Sequence, residues 1–542
     1  MSSPSDPFER IFSDLDAAAE GSLRPAKDQE EAETVEMLCD AIARFAERHV
    51  DPERIDADHS IPKELIQQAA EMGLFGISIP TEFGGAGLSM CACCKVVEAL
   101  GMADTSLGVT IGLHAGLGLR GLVRLAPKKL QERTLPRLAT GEDIACFCIT
   151  ESEAGSDIAS VRTTAIQDGD ELLVNGSKIF VTNGAFANVA TTVVRSPGLG
   201  GSRRGHSMIF IPLNDRPGVT RDAEENKLGI RGTSTCSLHF EDLRIPIDHV
   251  IGEPGKGLDN IQHVLTWGRT LMAAGCIGLA QVAYDKALAQ STQRIQFKRR
   301  LAEFGMVREM LAGMRFRLHA MECLIRVVTR LEDQDPESII WESSVAKIFC
   351  TEAAWQVIDD SLQLHGGSGF IEETGVARLL RDCRVTRIFE GANEVLRFHL
   401  ASALFAGKQG EISTLAAKLD STLSEPAKAF DALRAQLNEA VALAKKKHGL
   451  RIFKRQMVQH RLADAAINLY TMQAVLIRAQ GELGRGSFDD EAKDLCLFSC
   501  HELRRRVEIS LDGQDDNADE LASNLAVAAC ASIGEDLEEK IV

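Results

Sequence analysis

The chain has 542 residues, 45% of them hydrophobic, and a formal net charge of −18. That length holds several domains, while the acidic balance argues against nucleic acid as a partner, because neutralising phosphates takes clustered Lys and Arg. No run of 18 or more apolar residues is present, so a membrane-spanning helix is excluded. The first segment, Met1 to Glu36, is acidic and polar, with neither a signal-peptide apolar core nor an Arg-rich leader. A soluble location is therefore expected, the cytoplasm in a bacterium or the mitochondrion in a eukaryote. The 14 Cys then read as reduced thiols.

The expected class is multidomain α+β. A polar N-terminal segment (1–35) precedes an N-terminal helical domain (36–145), a central antiparallel β-domain (146–258), a helical bundle (259–405) and an additional C-terminal helical domain (408–542). In the first helical zone, Leu65-Ile66, Ala69-Ala70 and Met72-Gly73 recur at helical spacing. Cys91, Cys93 and Cys94 have no second pair at zinc spacing, so they read as buried helix residues and no metal is expected. Gly108 and Gly112 lie four apart on a predicted helix from Thr105, which means either a space requirement or close helix packing. Gly116 to Gly121 matches G-x-G-x-x-G but lies in the helical zone, so close packing explains it better than a dinucleotide site.

The period changes to strands after Ala145. Asn175-Gly176 between two apolar runs predicts a hairpin turn, Ser207–Leu213 and Thr235–Ile245 predict strands, and Gly198–Gly205 a mobile surface loop. Cys148-Ile149-Thr150-Glu151-Ser152-Glu153-Ala154-Gly155-Ser156-Asp157 is an acidic Gly-Ser loop whose small residues let backbone amides approach a ligand.

In the second helical zone, Gln363-Leu364-His365-Gly366-Gly367-Ser368-Gly369-Phe370 precedes a basic stretch, Arg378 to Arg387, and Ile388-Phe389-Glu390-Gly391-Ala392-Asn393-Glu394. Two Gly turns flanking a basic helix could cradle a pyrophosphate. Glu390 is a loop carboxylate between apolar neighbours, where its pKa should rise toward that of a working base, or else it is a surface residue starting a helix. In the tail, Met457, Val458, Leu462, Ala463, Leu469 and Met472 repeat Met306, Val307, Leu311, Ala312, Leu318 and Met321 151 positions later. Either the tail is a bundle derived from the first, or core packing converged. Cys496 and Cys500 share a helix face and read as packing residues.

Together these segments resemble acyl-CoA dehydrogenases, through the Thr-Glu-x-x-x-Gly-Ser-Asp loop and the Gln-x-x-Gly-Gly-x-Gly to Phe-Glu-Gly stretch. The tail segment Gln459-His460-Arg461-Leu462-Ala463-Asp464 is similar to the very-long-chain branch. The resemblance implies FAD as cofactor, Glu390 as the catalytic base, and FAD contacts from Phe147, Ile149, Thr150, Gly155, Ser156, Phe180 and Thr182. It implies further FAD contacts from Arg294, Phe297, Gln363, Gly366 and Gly367 across a subunit interface, and from Asn393 and Glu394. Ser156, Arg269 and Gly391 would meet the acyl-CoA, and Gly108 and Gly112 would leave the bottom of the acyl tunnel open for long chains. Gly268 rules out a base just before Arg269.

Three positions depart from the family pattern: Ala392 replaces Thr, Lys298 replaces Gly, and the linker from Gly407 to Leu433 lacks the insertion long-chain relatives use for membrane contact. The implied reaction is α,β-dehydrogenation of a long-chain acyl-CoA to trans-2-enoyl-CoA, with an electron-transfer flavoprotein as acceptor and a homodimer as the assembly. An acyl-CoA oxidase using O2 and a dehydrogenase-like scaffold in respiratory-complex assembly are the alternatives.

Overall fold

A computed structural model of the chain describes residues 7–10, 15–22, 26–203, 205–334, 339–407, 414–514 and 517–531. They divide into two compact units, Arg24–Ala392 and a smaller one made of Met1–Leu23 with Asn393–Val542. The polar 1–35 segment, the 407–433 linker and the Gly198–Gly205 loop lie partly outside the described residues.

In the larger unit, α1 (Gln29–His49) begins at Asp28, whose carboxylate accepts from the Glu31 amide and satisfies an otherwise orphaned N–H. Ser89 caps α2 (Met90–Ala103) in the same way, and this helix buries Cys91, Cys93 and Cys94. Burial holds the thiols of Cys93 and Cys94 well above their ordinary range, which makes them inert packing groups. Next, α3 (Thr105–Leu113), a π-helical turn (His114–Gly118) and α4 (Leu119–Leu125) form one continuous stretch. Contrary to the sequence expectation, this stretch is long and apolar enough to cross a bilayer. It is nonetheless a core helix, because 78% of its most apolar window is buried inside the protein. The Gly116–Gly121 motif falls here, and a Cβ at Gly118 or Gly121 would meet Ala145 or Met208 at 2.9 or 2.8 Å. Close packing against the sheet is the reason for these glycines.

The sheet comprises β1 (Ala145–Cys148), β2 (Thr164–Asp168), β3 (Glu171–Thr182), β4 (Val189–Arg195), β5 (His206–Pro212), β6 (Val219–Arg221), β7 (Thr235–Pro246) and β8 (Val250–Ile251). Its order is β6-β7-β3-β2-β4-β5-β8, with β1 beside β4. Pairing is antiparallel except where β4 meets β1 and the end of β2. β4 is buried from Val189 to Val194, with two threonines among its apolar residues, as a strand covered on both faces.

Asn175-Gly176 does not turn the chain. β3 runs through the pair, and the reversal from β2 falls at Gly169-Asp170. The pair marks a bulge, where register against β7 slips between Val174 and Gly176. The Asn175 side chain bonds Asp242 twice, accepting from its amide at 2.8 Å and donating to its carboxylate at 3.2 Å. Gly176 is at φ +142°, and a Cβ there would lie 2.7 Å from Thr163 Cα. The glycine serves a close backbone approach, which mimics a turn signal in sequence.

Helices then return as α5 (Gly257–Gln293), α6 (Gly305–Gln334), α7 (Ile340–His365) and α8 (Val376–Arg384), with α5 packed on α2, α6 and α7. A buried ion pair ties α4 to α6: Arg120 reaches Glu332 at 3.0 Å and stacks 3.5 Å over the Trp267 ring of α5.

The smaller unit contains α9 (Asn393–Ala406), α10 (Ser424–His448), α11 (Gln456–Arg485), α12 (Asp490–Asp512) and α13 (Asp519–Ala531). The N-terminal segment contributes to its core, since Phe8 is buried edge-on to Tyr470 and Arg434 pairs with Glu9 at 2.7 Å. Cys496 and Cys500 are buried on α12. The repeated pattern falls on α6 and α11, both 30 residues long. The two faces are used differently in part: Leu462 and Ala463 are buried, whereas their counterparts Leu311 and Ala312 are half-buried and exposed.

Candidate active site

Glu390 occupies the turn after α8 with φ +56°, followed by Gly391 at +98°. A left-handed bulky residue costs on the order of 1–3 kcal/mol and persists only where its surroundings impose it. Two cations do so. Arg269 on α5 donates through Nε to the Glu390 carbonyl at 3.1 Å, and Lys347 on α7 donates through Nζ to the Gly391 carbonyl at 2.9 Å. Both side chains are buried.

The Glu390 side chain joins the wall of a cavity, and its Oε2 is buried without a hydrogen-bond partner. Burial pushes this carboxyl up to about 7, although Arg269 and Lys347 pull it back. Burial lowers Arg269 to about 10, so it stays charged at neutral pH. A Cβ at position 268 would lie 2.7 Å from Glu390 Oε2, so the glycine before Arg269 makes room for the carboxylate.

The rest of the cavity is apolar with a few hydroxyls. On one side it is walled by Val97, Gly108, Gly112, Met272 and Leu279 from α2, α3 and α5. The two predicted glycines differ. A Cβ at Gly112 would meet nothing within 4 Å, whereas at Gly108 it would touch the backbone of Leu100 and Gly101 at 3.4 Å. Gly112 leaves space, and Gly108 sits against α2.

Phe147, Ile149, Thr150, Phe180 and Thr182 form the wall contributed by the sheet. This wall is held by groups the sequence reading missed. His114, in the π-helical turn, accepts from the Ala145 amide at 2.9 Å and bonds the Leu138 carbonyl through Nε2 at 3.1 Å, which fixes the start of β1. Burial lowers it to about 4, so it is neutral. Lys178 on β3 is fully buried and donates to Glu151 at 2.7 Å and to the Ile149 carbonyl at 3.1 Å. Glu151 also accepts from the amides of Arg162 and Thr163, which closes the acidic loop back on itself. Burial raises the Glu151 carboxyl, but Lys178 and these bonds outweigh it and leave it below the usual range.

Other predicted residues stand elsewhere. Gly155 and Ser156 are exposed on that loop. Arg294 and Phe297 belong to a small hairpin of β9 (Ile295–Gln296) and β10 (Arg299–Arg300), with Phe297 87% exposed at its tip. Phe297 and Lys298 both have positive φ, +50° and +63°, the two-residue turn that normally takes Asn or Gly. Gln363, Gly366 and Gly367 are exposed at the end of α7. None of these walls the cavity. Asn393 is buried and Glu394 exposed in the first turn of α9, in the smaller unit.

Three arginines of the basic stretch are paired with carboxylates of the chain itself. Arg378 lies 3.4 Å from Asp382, Arg381 bonds Asp56 at 2.9 Å, and Arg387 pairs with Glu352 at 2.9 Å. Those guanidinium groups are committed to carboxylates, two of them far away in sequence. Lys347 also carried no recognised signal, although a lone Lys inside Ser344-Val345-Ala346-Lys347-Ile348-Phe349 was one.

A proton-accepting carboxylate in an apolar cavity, beside a wall with two threonines, can take a proton from a carbon acid carried on an apolar chain. The family comparisons agree with that chemistry. The chain matches the N-terminal, middle and C-terminal domains of acyl-CoA dehydrogenase over residues 32–142, 146–243 and 255–405, and the ACAD9/ACADV C-terminal domain over 421–535. It is 34% identical over 520 residues to the very long-chain specific acyl-CoA dehydrogenase, mitochondrial, of Homo sapiens, covering 89% of this chain and 79% of that one. The acyl-CoA dehydrogenase complexed with FAD from Bacillus anthracis superposes with a TM-score of 0.81 at 28% identity, covering 91% and 90%. Butyryl-CoA dehydrogenase from Megasphaera elsdenii gives 0.65 at 28%, covering 68% of this chain and 97% of its own. The chain belongs to the acyl-CoA dehydrogenase family.

Proposed function

We propose that this chain dehydrogenates long-chain acyl-CoA thioesters to trans-2-enoyl-CoA, with Glu390 as the base. The observation that carries this reading is the buried, unpartnered Oε2 of Glu390 in the cavity wall. One wall of the same cavity suits the flavin ring of FAD. Phe180 is 62% exposed beside Ile149, Thr150 and Thr182, a surface suited to a planar ring with apolar faces and a polar edge. When bound, FAD supplies the acceptor for the hydride leaving the β-carbon.

The protein's own part is positional and electrostatic. Glu390 takes the α-proton at Oε2, and its backbone N–H donates to the thioester carbonyl as charge develops there. Arg269 and Lys347 hold the turn. The apolar wall excludes water, which keeps the carboxylate a stronger base than it would be in solvent. Phe147, Thr150 and Thr182 would flank the ring, and Ser156 and Gly391 would meet the acyl-CoA. Arg294, Phe297, Gln363, Gly366 and Gly367 reach the cofactor of a neighbouring subunit in a homodimer. Electrons leave to an electron-transfer flavoprotein.

Gly112 sets the substrate length. Each methylene buried adds about 0.8 kcal/mol, so an unplugged cavity favours chains of about C14–C20 over octanoyl-CoA. Anaerobic bleaching of the flavin band by a series of acyl-CoAs tests this directly. Gly112→Glu is expected to shorten the preferred chain while short substrates still turn over. A wild-type preference for butyryl- or octanoyl-CoA, or an unmoved profile in the variant, would overturn the length assignment. Rapid oxygen consumption with palmitoyl-CoA would overturn the choice of acceptor.

A further inference from the structure

Lys347 lies in the first third of α7 with no exposed surface, inside an otherwise mostly apolar run. Its Nζ donates to the Gly391 carbonyl at 2.9 Å, and the preceding carbonyl, that of Glu390, accepts from Arg269 at 3.1 Å. Two buried cations from two helices therefore hold consecutive carbonyls of one strained turn, and the first residue of that pair, Glu390, carries the carboxylate in the cavity wall.

We propose that Lys347 is a positioning residue for the dehydrogenation: by anchoring the Gly391 carbonyl it keeps the Glu390 carboxylate aimed into the cavity. The inference rests on the reading of Glu390 as the base. The charge of Lys347 has a second effect, since it favours the ionised form of Glu390 at the pH of catalysis.

The surrounding charges are consistent with this. Arg269 and the Cys276 thiol face the group from α5, Glu390 from the turn, and Glu352 from farther along α7, where it is paired with Arg387. Burial raises the Cys276 thiol to about 12, so it contributes no charge. Burial lowers Lys347 to about 8 while Glu390 opposes that shift, so the ammonium form predominates at neutral pH.

A purely structural lysine would alter melting and yield without moving the pH dependence of the reaction. The test compares FAD-loaded wild type, Lys347→Met, Lys347→Arg and Glu390→Gln. It follows anaerobic flavin bleaching by palmitoyl-CoA across the pH range, with thermal melts alongside. Lys347→Met is expected to lower the bleaching rate about 10- to 100-fold with little change in substrate KM. Loss of the positive charge should move the acidic limb of the profile to higher pH by about one unit, and Lys347→Arg should restore most of that displacement. Should Lys347→Met fail to fold, Lys347→Gln keeps a donor for the Gly391 carbonyl but loses the charge, and its acidic limb should move in the same direction. A wild-type rate with an unmoved limb in a folded, FAD-loaded Lys347→Met or Lys347→Gln enzyme overturns the inference. With Glu390→Gln inert in that same series, such a Lys347 result overturns this inference alone and leaves the base assignment standing. If Glu390→Gln bleaches like wild type, the base assignment fails first.

Discussion

At the scale of single residues, the site depends on where a side chain is absent as much as on where one is present. Gly268 lies against Glu390, and a Cβ there would stand 2.7 Å from its Oε2 and closer still to Leu117 Cδ2. Gly268→Ala should therefore push the carboxylate aside while α5 stays folded, since Ala is the better helix former. We expect about a hundredfold loss of turnover, the scale associated with misplacing a reacting group, with Tm changed little. Wild-type kinetics in Gly268→Ala would show that Glu390 has another place to sit. Glu390 stood out in sequence as a candidate base because Phe389 and Gly391 frame it on a loop. Lys347 was not, because its partners, Gly391 and Glu390, lie more than 40 residues away and only the fold brings them together. The ion pairs of the α8 arginines were hidden for the same reason: Asp56 and Asp104, which pair with Arg381 and Arg378, come from the other end of the unit.

At the scale of elements, the β-wall of the cavity is held from behind by a buried pair. Lys178 on β3 ties Glu151 and the Ile149 carbonyl together, so one ammonium joins the strand bearing Phe180 and Thr182 to the loop after β1. Removing one partner of a buried pair strands the other, typically at a cost of about 3–5 kcal/mol. Lys178→Met should therefore lower Tm and loosen FAD retention together. Glu151 has a depressed pKa, so its part of this stability is present above the ordinary Glu value of 4.5 and lost as the pH falls below it. The gap in stability between wild type and Lys178→Met, measured by denaturant titration, should accordingly narrow in acid; a gap independent of pH would count against an ionic role. Element types were readable because hydrophobic periodicity shifts from helical to alternating near Ala145. The bulge at Asn175-Gly176 was not, since its demand for glycine comes from Thr163, and a turn and a close approach ask for the same residue.

At the scale of the whole molecule, several predicted cofactor ligands sit away from the chain's own cavity. Arg294 and Phe297 stand on an exposed hairpin, with Phe297 at a strained, solvent-facing tip, and Gln363, Gly366 and Gly367 are exposed at the end of α7. Groups placed in this way suit a neighbour's cofactor, which is the basis for expecting a homodimer. Light scattering of the FAD-loaded protein should give twice the chain mass; a monomer that retains FAD, or a tetramer, would contradict the assembly. The order of domains along the chain was legible from composition and period. That the N-terminal segment joins the smaller unit was not, because Phe8 meets Tyr470 across more than 450 residues of sequence.

The central claim is that Glu390 removes the α-proton, and Glu390→Gln tests it most directly because the amide keeps the shape of the side chain and removes its basicity. Measured as anaerobic bleaching of the bound flavin by palmitoyl-CoA, the variant should bind FAD normally and react several powers of ten more slowly, beyond the roughly 10²–10⁴-fold typical of general acid–base catalysis. Bleaching at a near-wild-type rate would contradict the account.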